Sequence, residues 1–419
     1  MKRHFALLGG TTSFTDAIVA LYKLIFSFTL SEGTSLTKYE NEFARKVGTR
    51  YAISFSAGRV GLYGLLKAFG IGDGDEVILQ VPSHIVVPNA IKYAGAVPIY
   101  VDCNLNNYNI DLDFTRSKIT KNTKAIIIQH TFGIPVDITE ALELANEYGL
   151  IVIEDCVHAL GAKYKDKNIG TFGHAAFFST EETKIISTTM GGMITTDNLD
   201  IAEKMKDFQK KCSIPDFWLS YRYLLKFVLY YFLLHPIVHK YTRYIYEFFG
   251  SRLPLPRPTS AEELVGKMPE DINQRLSNGQ ALIGLRQLRN LENNLNHRRK
   301  IAAVYDRQLK SIGLMELKYP QDSEPSYVRY PLWVSNKDMA VEKYKSYGVL
   351  GTWFTSVLEE AVSPSYGDYI MGSCPNAELA AKHLINLPTH PKVKVNDAEK
   401  LFGVISNLVS VPVSKDKRV

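Results

Sequence analysis

The sequence has few cysteines, no apolar run long enough to span a membrane and no block of like charge. Its four cysteines are widely spaced and match no zinc pattern, which favours a reduced cytoplasmic protein over a disulfide scaffold. The apolar run near the N-terminus is too short for a signal peptide. Basic residues number 49 against 43 acids, and outside 217–249 no long basic run occurs, so we expect no nucleic-acid partner.

The composition is that of an ordinary globular protein, with 46% apolar and 22% charged residues over 419 positions. Such a composition excludes a disordered or collagen-like chain, and the length suits two or three domains. Changes of pattern along the chain predict three parts: a large α/β domain (1–212), an aromatic and basic insertion (213–260) and a smaller C-terminal α+β domain (261–419).

Between residues 51 and 197, short β-branched runs alternate with helix-period segments, which predicts βαβ units. Because these runs are apolar throughout, we expect a mostly parallel sheet wrapped by helices on both faces. Ligands of such sheets lie at the carboxyl ends of the strands. The predicted strands are 76–80, 98–101, 124–129, 150–154, 174–179 and 193–196. The predicted helices are 60–69, 88–93, 138–148 with Asp137 as N-cap, 282–305 and 397–408.

Two polar residues follow the predicted strand 150–154. Asp155 comes directly after this buried run, where a carboxylate needs a cationic or hydrogen-bonding partner. His158 would share a face with Asp155 if the turn between them is helical. A helix cap and an ordinary core histidine would explain the same two residues, so both interpretations stay open here.

Lys184 stands between the predicted strands that end at Ser179 and begin at Met193. A lysine above a strand-end site can lose its proton through burial and nearby positive charge, and it then attacks carbonyl carbons. Most lysines are instead solvated surface residues. Upstream, the small residues 56–58 and Arg59 form a strand-to-helix turn whose N–H groups suit a phosphate.

A phosphate at a helix start, a ring nitrogen facing an aspartate and an aldehyde joined to a lysine are together the demands of pyridoxal phosphate. At this point the sequence resembles the DegT/DnrJ/StrS sugar-nucleotide aminotransferases, which are pyridoxal-phosphate enzymes of fold type I. The blocks that carry the resemblance include YAISFSAGRVGLYGLL, VIEDCVHALGAKYKDKNIGTFG, TKIISTTMGGMITTD, INQRLSNGQALIGLRQL and INLPTHP. It extends from about Tyr39 to Leu408, apart from the aromatic insertion.

The resemblance implies roles around the cofactor ring. Lys184 would bind the cofactor covalently and then move a proton between the carbon of the amino donor and that of the cofactor. Asp155 would keep the pyridine nitrogen protonated, and His158 would lie against the ring. His84 stands where the family has an aromatic residue, so any stacking from that side would come from this imidazole.

The resemblance also implies a phosphate site and a shared active site. Gly58, Arg59 and Ser179 would hold the phosphate, although Arg59 replaces a usual threonine and would act through its guanidinium. Asn273 would reach the phosphate from the neighbouring subunit of a homodimer. The pair 181–182 contributes two acids beside the lysine that the family pattern lacks, and we expect them to alter its electrostatics.

The segment from Phe217 to Phe249 is aromatic and basic and interrupts the resemblance. Its longest run without charge or histidine, 227–234, is less than half of the roughly 20 residues that a spanning helix needs. His235 and Pro236 then break the run. We expect a hairpin of amphipathic helices in the membrane headgroup region. A helical pair buried in the dimer interface or against the small domain would explain the same pattern.

The prediction is therefore a pyridoxal-phosphate-dependent aminotransferase that converts a nucleotide-linked or lipid-linked keto-sugar into an amino sugar for cell-surface glycan or lipid biosynthesis. The resemblance implies glutamate as amino donor and a location in the cytoplasm or at the inner face of the membrane. Candidates for the sugar pocket are His130, Trp353 and Phe354. Two alternatives remain: a sugar dehydratase, although enzymes of that kind replace the lysine with histidine, and a cofactor-binding scaffold or sensor without turnover.

Overall fold

A computed structural model describes residues 3–26, 29–249, 258–315 and 317–412. Its centre is a seven-stranded sheet in the order β1-β10-β9-β6-β5-β2-β4, in which β10 alone runs antiparallel to the others. The six predicted strands are confirmed, each within one residue of its predicted ends. The strands of this sheet are β1 (Tyr51–Phe55), β2 (Glu76–Gln80), β4 (Val97–Val101), β5 (Thr123–Gln129), β6 (Ile151–Asp155), β9 (Ala175–Ser179) and β10 (Gly192–Thr196).

Helices cover both faces of this sheet, as the apolar strands predict. In β5, Ile127 belongs to one buried cluster while its neighbours Ile126 and Ile128 belong to the cluster on the opposite face. The helices are α1 (Phe14–Phe26), α2 (Ser35–Val47), α3 (Gly58–Ala68), α4 (Val86–Tyr93), α5 (Leu112–Arg116), α6 (Ile138–Glu147), α7 (Leu199–Lys211), α8 (Phe217–Leu233), α9 (His239–Phe249), α10 (Asn278–Arg289), α11 (Leu291–Ser311), α12 (Lys337–Tyr344), α13 (Pro375–His383) and α14 (Val395–Ile405).

A third buried cluster lies in the C-terminal part of the chain. Here β12 and β14 form an antiparallel pair, and side chains of α11, α12 and α14 pack with them. The shorter strands are β3 (Ser83–His84), β7 (Lys163–Tyr164), β8 (Lys167–Asn168), β11 (Ser323–Glu324) and β13 (Leu358–Glu359), beside β12 (Arg329–Trp333) and β14 (Leu384–Pro388). The division into domains at 212 and 260 stays a prediction.

The single long helix predicted over 282–305 is wrong. Two helices, α10 and α11, meet at Asn290, whose backbone leaves the helical region at φ −101° and ψ 9°. Asparagine is a poor helix former because its side chain competes for backbone hydrogen bonds. The N-cap predicted at Asp137 is confirmed, since its carboxylate accepts the N–H of Glu140 at 3.3 Å. The C-terminal helix is confirmed as α14, followed by a 3₁₀ turn at Ser406–Leu408.

The aromatic insertion forms two helices, α8 and α9, which we call the aromatic hairpin (217–249). The predicted break is confirmed, because α8 ends at Leu233 and α9 begins at His239. Its buried face, including Leu224 and Phe227, packs against α1 and α10. None of the helices within the described ranges is both long and apolar enough to cross a membrane. The proline-rich segment 253–258, whose sequence predicts an extended connector, lies, apart from its last residue, outside the described residues.

Candidate active site

The register of the sheet brings three predicted site segments to one edge. Gly192 of β10 lies opposite both Phe55 of β1 and Ser179 of β9, so the turn after β1 lies near Ser179. Asp155 of β6 lies opposite Phe177 of the parallel strand β9. This edge is the carboxyl end of the parallel strands, where sheets of this kind bind their ligands.

The turn before α3 is closely packed against β10. Ala57 is extended (φ −156°, ψ 158°), and α3 begins at Gly58. A Cβ atom on Gly192 would lie only 2.3 Å from the backbone nitrogen of Gly58. The glycine therefore lets the helix start approach the sheet edge, where its unpaired N–H groups suit an anion.

Arg59 follows in the first turn of α3, but its guanidinium is engaged by another part of the chain. It forms a short ion pair with the buried Glu263 and donates to the carbonyl of Pro258 at 2.7 Å. Ser179 is placed at the end of β9, where its hydroxyl accepts the N–H of Glu181 at 3.3 Å. The structure thus places Gly58 and Ser179 at the sheet edge and directs the Arg59 side chain toward the segment after 258.

Asp155 is buried at the end of β6. Burial raises its pKa to about 7, while the N–H of Val157, 3.1 Å from Oδ1, and the positive charge of Lys184 act in the opposite direction. The structure therefore brings together an acid and a lysine predicted from separate segments.

Lys184 lies with its Nζ 4.7 Å from the centre of the Trp353 ring. Burial lowers the pKa of Lys184, and the nearby charge of Arg329 lowers it further. The carboxylates of Glu181 and Asp155 raise it and offset part of that effect. A lysine in this environment holds its proton less tightly than a solvated one, as a nucleophile requires.

His158 lies in a stack of rings beside this lysine. Its imidazole is nearly parallel to the Trp353 indole, with centres 4.9 Å apart, and to Phe132 at 6.1 Å. Burial, first, and then the charges of Lys184 and Arg329 hold the pKa of His158 well below its usual value. Its Nδ1 accepts the N–H of Phe132 at 3.3 Å. The ring is therefore neutral and fixed in orientation.

His84 and Asn273 take different positions around this edge. The Nε2 atom of His84 lies 3.3 Å from a carboxylate oxygen of Glu360, and this contact is the main reason that the pKa of Glu360 falls to about 2. The side-chain oxygen of Asn273 is buried and has no hydrogen-bond partner among the described residues. Of the pocket candidates, Trp353 contacts the site, whereas His130 lies 3.4 Å from the buried Glu154.

Together these residues fit pyridoxal phosphate. Lys184 offers the amine, Asp155 a buried acid for a ring nitrogen, and the Gly58 turn with Ser179 a set of phosphate donors. The close approach of Gly192 to that turn is the observation that favours a phosphate cradle, because a larger residue would fill it.

Sequence reasoning missed three cationic or polar side chains near Lys184. Arg298, Arg329 and His390 are buried and line the same cavity as the lysine. They come from α11, β12 and the loop after β14. A charged residue within an apolar strand, as in RYPLW (329–333), is a signal that could have singled out Arg329.

The aromatic hairpin touches the segment that carries Lys184. Lys226 of α8 forms an ion pair with Glu182 at 2.8 Å, and both side chains are buried. The carbonyl of Glu182 also accepts the N–H of Gly9 at 3.2 Å. One of the two unusual acids beside the lysine therefore pairs with a residue of the insertion, while the other, Glu181, lies near enough to Lys184 to raise its pKa.

Comparison with known proteins gives consistent matches. The model of the "DegT/DnrJ/EryC1/StrS aminotransferase family" matches residues 15–226 and 244–406, and the unmatched gap falls within the aromatic hairpin. MJ1066, an uncharacterised protein of Methanocaldococcus jannaschii, is 31% identical over 391 residues, covering 91% of this chain and 92% of its own length. The GDP-perosamine synthase of Escherichia coli O157:H7 is 33% identical over 282 residues (67% of this chain, 65% of that one). The crystal structure of DesV from S. venezuelae superposes with a TM-score of 0.73 at 23% identity and covers 94% of each chain.

Proposed function

Since the chain belongs to the DegT/DnrJ/EryC1/StrS aminotransferase family, we propose that its strand-end site moves an amino group from an amino acid to the ketone of a sugar. The protein is a sugar aminotransferase with pyridoxal phosphate as its cofactor. The observation that carries the assignment of the site is a lysine of lowered pKa beside a buried aspartate at the carboxyl ends of parallel strands.

Each residue has a defined task in this proposal. The cofactor, when bound, accepts the amino group and withdraws electrons from the reacting carbon. Lys184 would bind it and carry the proton between carbons, and its lowered pKa favours loss of the proton from the amine. Asp155 holds a proton on the ring nitrogen, and His158 orients the ring. Gly58 and Ser179 serve the phosphate, whereas the guanidinium of Arg59 pairs with Glu263 instead, and His84 with its partner Glu360 borders the site.

We propose a keto-sugar carried on a nucleotide as the first substrate class and glutamate as the donor. The similarity to a GDP-perosamine synthase supports the former. A lipid-linked sugar is the alternative, and it is motivated by the aromatic hairpin. We further propose a homodimer in which Asn273 reaches the partner's phosphate site, and the unpartnered buried oxygen of this side chain supports a contact outside the described residues of one chain.

We propose that the aromatic hairpin rests on the cytoplasmic face of a membrane. Trp218 is 69% exposed and Tyr244 is 73% exposed, and the basic residues Arg222 and Lys240 are exposed on the same two helices. Aromatic rings with basic neighbours favour the headgroup region. Burial of this surface in a dimer interface is the competing explanation.

A test of the enzymatic proposal uses the visible absorbance of the purified protein. We expect a visible band after reconstitution with pyridoxal phosphate, bleaching of that band by L-glutamate, and its loss in Lys184→Ala. Lys163→Ala, which alters a partly exposed lysine paired with Glu324, is the matched control and should keep the band. A wild-type protein that never binds the cofactor would refute the proposal, and a band that no amino acid shifts would favour the scaffold or sensor.

A test of membrane contact uses sedimentation with vesicles containing anionic lipid. The full chain should sediment with them, and the variant Trp218→Ser/Tyr244→Ser should do so several-fold less. Ile312→Ser, which alters a 41% exposed apolar side chain outside the aromatic hairpin, should behave as the wild type. If the wild-type protein ignores the vesicles and the double variant disrupts a dimer instead, the interface explanation is correct.

A further inference from the structure

The helix α1 exposes an apolar face to solvent. Its one acid, Asp16, is buried and pairs with Arg286 at 3.0 Å, and its one basic residue is Lys23. Apolar and aromatic side chains that are between 38% and 65% exposed recur along the helix at three- and four-residue intervals, so they share one face. Contiguous apolar surface of this kind marks an interaction site. We call this set the α1 face: Phe14, Ile18, Leu21, Tyr22, Ile25 and Phe26.

The α1 face adjoins the aromatic hairpin. At one end of the helix, the centre of the Phe14 ring lies 5.9 Å from that of Tyr231, which in turn lies 5.1 Å from that of the exposed Phe232. Toward the other end, Leu24 packs with Phe217 against the small buried cluster that joins α1 to α8. The two elements therefore form one unit, and both expose large apolar side chains.

The charges of this unit favour one kind of partner. Its acids are only two, the buried Asp16 and Glu247 near the end of α9, whereas the basic residues Lys23, Arg222 and Lys240 are at least partly exposed. A two-fold dimer would place the surface against its own copy and bring these cations together, which is unfavourable. Anionic lipids supply negative headgroups for the cations and an apolar boundary for the rings. The charge pattern therefore favours an anionic bilayer over a second copy of the chain.

The same unit contacts the segment that carries Lys184. The N–H of Gly9 donates to the carbonyl of Glu182 at 3.2 Å, and Lys226 of α8 pairs with the carboxylate of that residue at 2.8 Å. Five residues, which span at most about 18 Å, lead from Gly9 to Phe14 at the start of the α1 face. A bilayer at this face would therefore lie close to the candidate active site.

We propose that α1 inserts its exposed face between the headgroups of an anionic bilayer and, with the aromatic hairpin, binds the protein to the membrane. This inference rests on the proposed membrane contact of the hairpin and deepens it, because it adds α1 as an inserting element and names anionic lipid as the partner. With 13 residues, α1 is too short to span a bilayer, so it lies in the plane of the interface.

The test is sedimentation of the full chain with vesicles of phosphatidylcholine, with and without phosphatidylglycerol. Ile18→Ser/Ile25→Ser should lower the partition coefficient on the anionic vesicles at least about 10-fold, because two apolar side chains no longer enter the bilayer. Both isoleucines are exposed, so the variant should unfold at the same denaturant concentration as the wild type. The matched control is Ile312→Ser/Ile370→Ser, which alters two exposed isoleucines outside α1 and the aromatic hairpin and should sediment as the wild type does.

A second variant tests the charge. Lys23→Gln/Arg222→Gln should weaken binding to the anionic vesicles at least about 10-fold, because each basic side chain near the surface attracts anionic headgroups. Its binding to vesicles of phosphatidylcholine alone should equal that of the wild type.

The outcomes separate α1 from the hairpin and from the transamination. If Trp218→Ser/Tyr244→Ser weakens vesicle binding but Ile18→Ser/Ile25→Ser does not, the hairpin contact stands and the inference about α1 is wrong. Equal binding of the wild type to both kinds of vesicle would overturn the assignment of anionic lipid. If the wild type binds neither, the inference fails, and a change from dimer to monomer in Ile18→Ser/Ile25→Ser would identify a second copy as the partner. The cofactor band should be the same in all these variants, and its absence from every protein would refute the transamination alone.

Discussion

Burial raises the pKa of the Asp155 carboxyl to about 7 from an ordinary value of 3.8, so this side chain titrates near neutrality. Between those two values the folded protein holds a proton that the unfolded chain releases. The free energy of unfolding contributed by this group therefore falls as the pH rises from about 4 to about 7. A bound ring nitrogen that carries a proton would remove the penalty, because the carboxylate would gain a cationic partner.

The first prediction concerns Asp155→Asn in protein stripped of cofactor. The variant should lack the loss of stability between pH 4 and 7, so that at pH 8 it exceeds the wild type by about 2 to 4 kcal/mol. Denaturant unfolding at several pH values measures this difference. The same variant should be the less active protein when cofactor is bound, and its transfer of the amino group should be at least about 100-fold slower than that of the wild type. An equal pH dependence in wild type and variant would contradict the pKa assignment, and the exposed Asp113→Asn is the control.

At the residue scale, the sequence predicted the positions of the side chains that lie at or just after the strand ends. Asp155, Ser179 and Lys184 could be placed because apolar runs locate the edge of a parallel sheet. Arg329 and His390 could not, since their proximity to the lysine depends on how the C-terminal strands pack against the sheet. Periodicity gives no information on that packing.

Among the elements, α8 binds the lysine segment through one buried ion pair, Lys226 with Glu182. Burial, first, and the neighbouring Glu181 raise the pKa of Glu182 to about 7, and Lys226 acts against them. Glu182→Gln or Lys226→Met alone should cost about 3 to 5 kcal/mol, because each removes the ion-pair partner of a buried charge. The double variant should cost less than either single change. A chemical denaturation cycle measures the coupling, and additive losses would refute it.

A matched control for that cycle is the exposed pair of Lys204 and Asp200 on α7, whose side chains are 2.8 Å apart. Because solvent screens this pair, Lys204→Met should change stability by less than about 1 kcal/mol. The comparison distinguishes a buried link between the insertion and the active site from an ordinary surface contact.

The start of α3 gives a prediction about the cradle for the phosphate. Gly192→Ala would place a Cβ atom 2.3 Å from Gly58 N, so α3 must shift away from β10. We expect the affinity for inorganic phosphate, measured as competition with the cofactor, to fall at least about 10-fold, since aligned N–H donors are lost. Gly403→Ala in α14 has no neighbour within 4 Å and should stabilise the protein by about 0.5 to 1 kcal/mol. Unchanged phosphate competition in Gly192→Ala would rule out this turn as the cradle.

The sequence predicted whether a segment is a helix or a strand better than it predicted where a helix ends. The break at His235 and Pro236 was visible in the sequence because charge and proline interrupt an apolar run. The break at Asn290 was missed because leucines continue with helical spacing on both sides of it. The spacing of apolar residues indicates which face of a helix is buried. The backbone angles of Asn290 depend instead on the residues that pack against both helices.

For the whole molecule, the proposed homodimer predicts complementation between inactive chains. Lys184→Ala and Asn273→Asp should each be inactive, but in a mixed dimer one site would combine the intact Lys184 of one subunit with the intact Asn273 of the other. Equal amounts refolded together should recover about a quarter of wild-type activity, because half of the dimers are mixed and one of their two sites is intact. If each chain carries its own Asn273, no activity returns.

The fold class followed from the pattern of strands and helices, and the structure agrees with it over the whole sheet. The role of the aromatic hairpin did not follow in the same way. Aromatic side chains suit a lipid surface, a partner chain and a protein core equally well, and only contacts decide between them. The contacts of α8 with α1 and α10 account for one face of that helix.

The pairing of β1 with β10 has a consequence for how the chain is made. Tyr51 pairs with Thr196, so the first strand of the sheet must wait for a strand synthesised nearly 150 residues later. During that interval the ribosome releases β2, β4, β5, β6 and β9, which can pair among themselves. The helix start at Gly58 therefore reaches its final position late in folding, and a nascent chain that stops before β10 would leave the β1 backbone open to other proteins.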